Sequence, residues 1–202
     1  MFCTIQSIIM ARPREFDLDK VLDRATQVFW TQGYEHTSVD QLCEATGLGR
    51  SSLYGAFRHK RGLYIEALAR YEEGSVARIR EALAGKPVRA GLGDFLDRLI
   101  GSIVAGPGRR GCFIGNCAAE LARLDRVAAS RVRRSLARIE AEFASVLEAA
   151  RDRGEIAKDA DTVAMARFIT AGIQGLRLVG KANPDRKALG DVAAMMLRCL
   201  DD

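Results

Sequence analysis

Histidine, proline and aromatic residues are scarce in this sequence, and its cysteines follow no regular spacing. Among 202 residues there are two histidines and four prolines, and 6% are aromatic. The five cysteines form an odd, scattered set without a CxxC pair: Cys3, Cys43, Cys112, Cys117 and Cys199. A disulfide framework or a zinc site is therefore not expected, and a reducing cytoplasm fits this composition. So few histidines also argue against a metal enzyme, and we expect neither a metal nor a cofactor.

Long apolar runs and strand-like patterns are missing as well. The opening residues MFCTIQSIIM are apolar, but they are too short to span a membrane and lack the basic region and cleavage site of a signal peptide. We expect a disordered leader over residues 1–9, with Met10 as a candidate start, and no membrane partner. No valine- and threonine-rich alternating run predicts a sheet, whereas abundant Ala, Leu, Arg and Glu favour helix. The expected fold class is all-α.

One stretch in the first half of the chain is basic and contains no acidic residue. Residues 47–61, GLGRSSLYGAFRHKR, contain four basic side chains and three hydroxyls but no carboxylate. The net charge of the chain is +5, yet the 74 residues before Ser75 hold nine basic and ten acidic residues. The acid-free stretch is therefore a local feature and not a consequence of overall charge. Such a patch is better evidence of an anionic partner than the isoelectric point.

Capping residues around this stretch predict a series of helices. Asp17 can cap a first helix, which ends at Gly33, and SVDQ at 38–41 has the form of a capping box that begins a second helix. Gly47 closes the second helix, and further helices are predicted over about 50–57 and 60–83. Residues 38–57 thus form helix, tight glycine turn and helix. This is the helix-turn-helix pattern, in which the second helix enters the major groove of DNA.

A Gly/Pro-rich break over residues 84–94 separates this part from five further predicted helices. We expect them at about 92–105, 112–122, 125–153, 160–180 and 186–200, which gives about nine helices in all, with GPGRRG as a loop. The last two are apolar over wide arcs and contain the small residues Ala171, Gly172 and Gly175. Such a pair favours an isologous four-helix interface between two copies of the chain, with core helices of a monomer as the alternative.

The segment FWTQGYEHTSVDQLCEATGLGRSSLYGAFRHKRGLYIEAL resembles the amino-terminal domain of the TetR family of bacterial transcriptional repressors. The similarity covers roughly residues 12–68. Its motifs are the Phe-x-x-x-Gly-Tyr-x-x-Thr-Ser lead, the Ala-x-Gly-Leu turn, the Leu-Tyr-x-x-Phe signature and the lysine that follows it. The resemblance implies a helix-turn-helix DNA-binding domain over 10–60 and a helical ligand-binding and dimerisation domain over 61–202, joined by helix 60–83.

The resemblance also implies a set of DNA-binding residues. Thr37, Tyr54 and Lys60 match positions that grip phosphates, and Ser38 is counted with them. Arg50, Ser51 and Ser52 lie where the recognition helix begins and base edges are read, which agrees with the hydrogen-bonding capacity of these side chains. Gly55 departs from the family, because a bulky His or Tyr is common there.

The function implied is that of a repressor that binds a palindromic operator as a homodimer and is released by a small-molecule effector. A transcriptional activator of the same fold is the near alternative. A helical enzyme or carrier is a more distant one, and the sequence offers no metal cluster or nucleophile–base pair for an enzyme.

Candidate ligand-binding residues lie in the second half of the chain: Cys112, Asn116, Glu120, Arg167 and Gln174. RGCFIGNCAAEL at 110–121 looks like a segment of one subset of these regulators. Asn116 and Glu120 share one helix face, either as polar anchors in an apolar pocket or as a surface pair. Arg167 and Gln174 leave the choice between pocket, dimer contact and solvent open.

Two further features of the second half each allow a functional and a purely structural interpretation. Cys112 and Cys117 suggest a redox-responsive regulator, but five residues apart on a helix they point in different directions, so buried thiols are the plainer interpretation. The arginine-rich run RVRRSLAR at 131–138 is interpreted as a solvated face, with a pocket for an anionic ligand as the alternative.

Overall fold

The computed structural model describes residues 16–201, and in that range the chain forms nine α-helices and no strand. The predicted all-α class is confirmed. The predicted leader over residues 1–9 and the candidate start Met10 lie outside the described residues. The helices are α1 Leu18–Gln32, α2 Val39–Thr46, α3 Arg50–Phe57, α4 Lys60–Leu83, α5 Val88–Ala105, α6 Phe113–Leu121, α7 Arg126–Asp152, α8 Thr162–Ala182 and α9 Arg186–Leu197.

The first three helices begin and end where local sequence signals predict. Asp17 accepts a hydrogen bond from the Lys20 N–H, and the reciprocal capping box of Ser38 and Gln41 is formed. Gly33 and Gly47 end α1 and α2 with φ values of 82° and 74°, a region that favours glycine. The Gly47 turn sets the angle between α2 and α3 and so determines which face of α3 is exposed.

The long helix α4 connects the first three helices with the helices that follow it, and we call these two parts the halves of the molecule. Its first turns pack on α1 and α3, and its later turns pack on α5 and α7. Phe29 and Tyr64 form an edge-to-face pair with ring centroids 4.9 Å apart in the core between α1 and α4. Gly62 permits the close approach of α3 and α4, since a Cβ there would lie 2.1 Å from the Phe57 carbonyl oxygen. A shift along α4 therefore reaches α1 and α3 directly.

Two boundaries in the second half differ from the sequence prediction. Helix α5 begins at Val88, four residues earlier than predicted, because the Val88 N–H donates to Glu155 Oε2 at 2.6 Å. This distant carboxylate replaces the missing side-chain cap at Pro87. The predicted loop GPGRRG contains a short 3-10 helix at Pro107–Arg110.

The arginine-rich run on α7 is not a purely solvated face. Glu72 of α4 is buried, and its carboxylate accepts hydrogen bonds from Arg131 Nη2 at 2.5 Å, Ser135 Oγ at 2.6 Å and Arg138 Nη1 at 2.7 Å. A buried carboxylate needs such partners, because burial of an unpaired charge is costly. These two arginines therefore join α7 to α4, which the sequence prediction missed.

Helices α8 and α9 carry an exposed apolar surface. The exposed large side chains on it are Val163, Phe168, Leu178, Val179, Val192 and Met195. Gly172 serves a contact within the chain, since a Cβ there would lie 2.6 Å from the Met196 methyl group. Ala171 and Gly175 are exposed, as a contact between copies requires. Of the helices in the described range, none combines the length and apolar character needed to cross a membrane.

Candidate nucleic-acid interface and internal cavity

Helix α3 has one buried face and one polar face. Leu53 and Phe57, four residues apart, are buried against the neighbouring helices. Arg50, Ser51 and Ser52 are exposed at the beginning of the helix, and Tyr54 is 41% exposed. The predicted base-reading residues thus share one accessible surface, which a major groove can admit. A Cβ at Gly55 would meet nothing within 4 Å, so this surface is open there.

The guanidinium of Arg50 is held by a carboxylate of α2. Its Nε and Nη2 donate to Asp40 Oδ1 at 2.9 and 2.7 Å, and Nη2 also reaches Asp40 Oδ2 at 2.8 Å. This hydrogen bonding raises the pKa of Arg50. The stretch 47–61 contains no acid, but its first arginine is neutralised by a residue ten positions earlier. Arg50 must leave Asp40 before it can pair with a base.

Thr37 and Ser38 differ in exposure although they are neighbours. Thr37 is 1% exposed, and its hydroxyl donates to the Gly33 carbonyl oxygen at 2.6 Å. Ser38 is exposed, and its hydroxyl oxygen accepts the Gln41 N–H at 3.1 Å as part of the capping box. The Ser38 hydroxyl proton remains available to a phosphate, whereas the Thr37 hydroxyl already serves the turn that precedes α2.

Lys60 contacts the same turn from the beginning of α4. Its ammonium donates to the carbonyl oxygens of Tyr34 at 2.8 Å and Thr37 at 2.9 Å, and it lies 4.2 Å from the centroid of the Tyr34 ring. Two of its three protons are therefore used within the protein. The predicted phosphate contact can use only the third.

Glu120 lies away from the internal cavity, in a surface groove that Asn116 also lines, and it connects α6 to the turn after α1. Its carboxylate, on α6, accepts the N–H groups of Tyr34 at 3.0 Å and Glu35 at 2.9 Å. The sequence left Glu120 open between a pocket and a surface pair, because helical spacing shows which residues share a face but not what that face contacts. A Cβ at Gly33 would lie 3.1 Å from Glu120 Oε2, so glycine allows this close approach.

Arg61, in the first turn of α4, contacts the beginning of α7. Arg61 Nη2 donates to Asp125 Oδ1 at 2.7 Å, and the same carboxylate accepts the Val127 and Ala128 N–H groups at the beginning of α7. Desolvation raises the pKa of Asp125, but the hydrogen bonds from Ala128 and Arg61 outweigh it and lower the pKa below its usual value.

Arg110, in the 3-10 helix before α6, contacts α1. Its Nη1 donates to Gln27 Oε1 at 2.6 Å, and its guanidinium lies 4.1 Å from the centroid of the Trp30 ring. Arg110 thus forms a cation–π contact with the helix that supports the DNA-binding half. Sequence reasoning missed Arg110, since neither partner is near it in the chain.

A small cavity of about 30 Å³ lies between α4, α5, α7 and α8. Its lining residues are Tyr71, Ser75, Arg78, Ile79, Phe95, Cys112, Ile139, Phe143, Thr170, Ile173, Gln174 and Arg177. Two of the five predicted ligand residues, Cys112 and Gln174, therefore line it.

Asn116 and Arg167 lie outside this cavity. Asn116 donates from Nδ2 to the Arg110 carbonyl oxygen at 2.9 Å, at a surface groove beside Lys181. Arg167 is exposed on α8. Its position seven residues before Gln174 does not bring it to the cavity, because two helical turns carry it beyond the end of the lining.

Cys112 and Cys117 are both free thiols and both buried. Burial raises the pKa of Cys117 to about 11. Because the thiolate is the reactive form, Cys117 is inert at neutral pH. Cys112 differs in lining the cavity.

Two family models match separate parts of the chain. Residues 21–67 match the model described as bacterial regulatory proteins, tetR family. Residues 89–196 match the model described as tetracyclin repressor-like, C-terminal domain. The first match contains α2 and α3, and the second contains the cavity-lining residues of α5 to α8.

Similar proteins extend over nearly the whole chain. An uncharacterized HTH-type transcriptional regulator of Bacillus subtilis, YezE, is 32% identical over 95% of this chain and all of its own length. The HTH-type transcriptional repressor ComR of Escherichia coli is 31% identical over 93% of this chain and 90% of its own. A solved structure of a cysteine mutant of the regulator CifR, complexed with 26-bp double-strand operator DNA, is 31% identical, covers 93% of this chain and 98% of its own, and has a TM-score of 0.77.

Proposed function

This chain belongs to the TetR family of bacterial transcriptional regulators, which bind DNA and are not enzymes, and we propose that it is a ligand-responsive repressor acting in the cytoplasm. It binds a palindromic operator as a homodimer and is released when a small molecule occupies the cavity. The observation that carries this proposal is the exposed, acid-free polar face of α3, anchored from beneath by Leu53 and Phe57.

The residues of this surface have different roles. Ser51 and Ser52 reach base edges at the beginning of α3, and Arg50 joins them when it exchanges Asp40 for a guanine. Tyr54 and Ser38 donate their hydroxyl protons to phosphates. Arg50 and these hydroxyls are exposed, which supports direct contact with DNA.

Thr37 and Lys60 act mainly by shaping the turn before α2. Their hydrogen bonds to the carbonyl oxygens of Gly33, Tyr34 and Thr37 hold the backbone that presents Ser38. Lys60 adds electrostatic attraction to the phosphates through its remaining proton and its charge.

The domain assignment follows: residues 10–60 bind DNA, and residues 61–202 bind the ligand and dimerise.

Dimeric architecture is typical of the family, and the exposed apolar side chains of α8 and α9 support a four-helix interface here. Two copies of α3 then enter successive major grooves, about one helical turn of DNA apart. A two-fold symmetric protein selects a palindromic operator for this reason.

Helix α4 and the hydrogen bonds of three side chains transmit occupancy of the cavity to α3. Tyr71, Ser75 and Arg78 of α4 line the cavity, and the first turn of the same helix carries Lys60 and packs against α3. The hydrogen bonds of Glu120 to the turn and of Arg110 to Gln27 tie the ligand-binding half to the DNA-binding half. The hydrogen bond of Arg61 to Asp125 ties the first turn of α4 to α7. A ligand that changes the position of α4 changes the spacing of the recognition helices, and the two sites then oppose each other by about 1–3 kcal/mol.

The test is a DNA-binding titration with the region upstream of the protein's own gene at several salt concentrations. The affinity should fall as salt rises, since phosphate contacts release counterions. Arg50→Ala should relax the preference for one operator base pair by roughly 10- to 100-fold. Arg133→Ala, an exposed position on α7, is the matched control. Equal weakening on every sequence would assign Arg50 to the phosphate backbone instead.

The activator alternative is decided by a reporter fused to the upstream region. Expression that rises when the gene is deleted supports a repressor, and expression that falls supports an activator. A redox switch through Cys112 and Cys117 has less support, because burial keeps Cys117 in the unreactive thiol form.

A further inference from the structure

The internal cavity and an outer groove share two arginines. The outer groove, lined by Trp30, Arg98 and Arg110 among others, contains Arg78, Phe95 and Arg177, and these three residues also line the internal cavity. Arg78 lies on α4 and Arg177 on α8. The two guanidinium groups therefore stand where a ligand passes from the groove into the cavity.

Neither of these arginines has an anionic partner within the part of the chain that is described. Arg78 Nη2 donates to Ser75 Oγ at 3.0 Å, and Arg177 Nη1 donates to the Gly111 carbonyl oxygen at 3.3 Å, both neutral acceptors. Other arginines of the same half, such as Arg80 with Glu142, make bidentate pairs with carboxylates. Two unneutralised cations at one junction repel each other, and an anion bound between them offsets this electrostatic repulsion.

Tyr71 lies next to both cations but does not neutralise them. Burial raises the pKa of its phenol, and the nearby Arg177 and Arg78 lower it only in part. The phenol is therefore uncharged at neutral pH. It remains a hydrogen-bond partner for an anionic group at the junction.

Part of the cavity wall is apolar, and one buried polar group in the wall has no hydrogen-bond partner in the described structure. Phe95 and Phe143 form an edge-to-face pair with centroids 6.2 Å apart, beside Ile139 and Ile173. Thr170 is 3% exposed, and its hydroxyl has no hydrogen-bond partner in the described structure. An unsatisfied buried hydroxyl is costly, and a polar atom of a ligand can supply the missing partner.

We propose that the effector of this regulator is an organic carboxylate with an apolar body. The carboxylate lies between Arg78 and Arg177, which can each hold it by two parallel hydrogen bonds. The apolar body lies against Phe95 in the outer groove of about 400 Å³ and reaches toward the small cavity. This inference rests on the proposed ligand-responsive function and names the chemical class of its ligand.

The outer groove supports the same class of ligand and leads to the DNA-binding half. It is lined by four arginines, Arg78, Arg98, Arg110 and Arg177, and by one acid, Glu81, a net of three positive charges. Such a groove attracts anions and raises their association rate. Arg110 lines it and also contacts Gln27 and Trp30 of α1, so an anion there competes with a contact between the two halves.

The test measures ligand binding to the free full-length dimer by titration calorimetry. The probes are octanoate and 4-phenylbutanoate, each paired with its primary amide, which has a similar shape but no charge. Both carboxylates should bind saturably and at least about 10-fold more tightly than their amides, since charged hydrogen bonds are the stronger ones. Arg78→Gln and Arg177→Gln should each weaken carboxylate binding about 10-fold or more while leaving amide binding nearly unchanged. Arg133→Gln makes the same change of charge at an exposed site outside both sites and should have no effect.

The outcomes separate this inference from the proposed function. Three results would overturn the carboxylate class. The amides could bind as tightly as the carboxylates, or neither carboxylate could bind saturably. The arginine variants could also bind carboxylates and amides with the same change in affinity. Operator binding is measured separately, without any probe, and its absence would overturn the regulator itself. Release of the operator by the amides but not by the carboxylates would leave a ligand-responsive regulator with a neutral effector.

Discussion

The hydrogen bonds of Glu120 to the turn after α1 make a sharp prediction for Glu120→Gln. Glutamine keeps the shape of the side chain but replaces one of two acceptor oxygens with an NH2 group. One N–H, of Tyr34 or Glu35, then faces another donor, and the remaining bond loses its charge assistance.

The expected loss of stability follows from these two bonds. A hydrogen bond to a charged group contributes about 1.5–3 kcal/mol, and partial exposure at this site reduces the figure, so we expect a loss of about 1–2 kcal/mol. For a chain of this length the Tm should fall by about 2–8 °C. Operator affinity should also fall, because the turn presents Ser38 and precedes the helix-turn-helix.

Thermal unfolding and operator titration of the same preparations check this prediction at one fixed protomer concentration, since dimers gain stability with concentration. Glu148→Gln is the matched control, as Glu148 is exposed on α7 and makes no hydrogen bond or ion pair in the described structure. If Glu120→Gln and Glu148→Gln had the same Tm, the reasoning from the two N–H bonds would be wrong.

Two other substitutions test the DNA-binding half. Gly55→Ala should stabilise the protein by about 0.5–1 kcal/mol, because glycine is unfavourable inside a helix and a Cβ there meets nothing within 4 Å. Thermal unfolding checks this, and a lower Tm for the variant would contradict the open space at this site. Lys60→Ala should lower the Tm as well as the salt dependence of operator binding, since it removes two hydrogen bonds to carbonyl oxygens. A change in salt dependence alone would restore a purely phosphate-binding role.

Much of the DNA-binding half is predictable because its signals are local. The capping box at Ser38, the glycine turns and the spacing of Leu53 and Phe57 involve residues at most four positions apart, and the structure contains all of them. Such signals depend only on backbone geometry and helical periodicity.

Contacts between distant residues could not be predicted in this way. Glu120 lies 86 positions from Tyr34, and Glu72 lies 59 positions from Arg131. In the sequence Glu120 is one polar residue of a helix face, and the arginine-rich run resembles a solvated surface. Only packing shows that one holds a turn and that the other neutralises a buried acid.

The beginning of α5 illustrates the same limit at a boundary. Pro87 and the glycines around it predict a later start, because no side chain nearby can cap the helix. Glu155, 67 positions away, accepts the Val88 N–H and makes the earlier start favourable.

The ion pair between Arg50 and Asp40 has a consequence for how such a protein searches a genome. While the guanidinium is held by Asp40, its charge is not offered to arbitrary phosphates, and most DNA is therefore held less tightly. An exposed pair of this kind is weak, and a guanine with two acceptors in line is the stronger partner. In the proposed complex Arg50 is released only where the correct base is present. The acid on α2 thus shortens the time spent at wrong sites and widens the ratio between specific and non-specific binding.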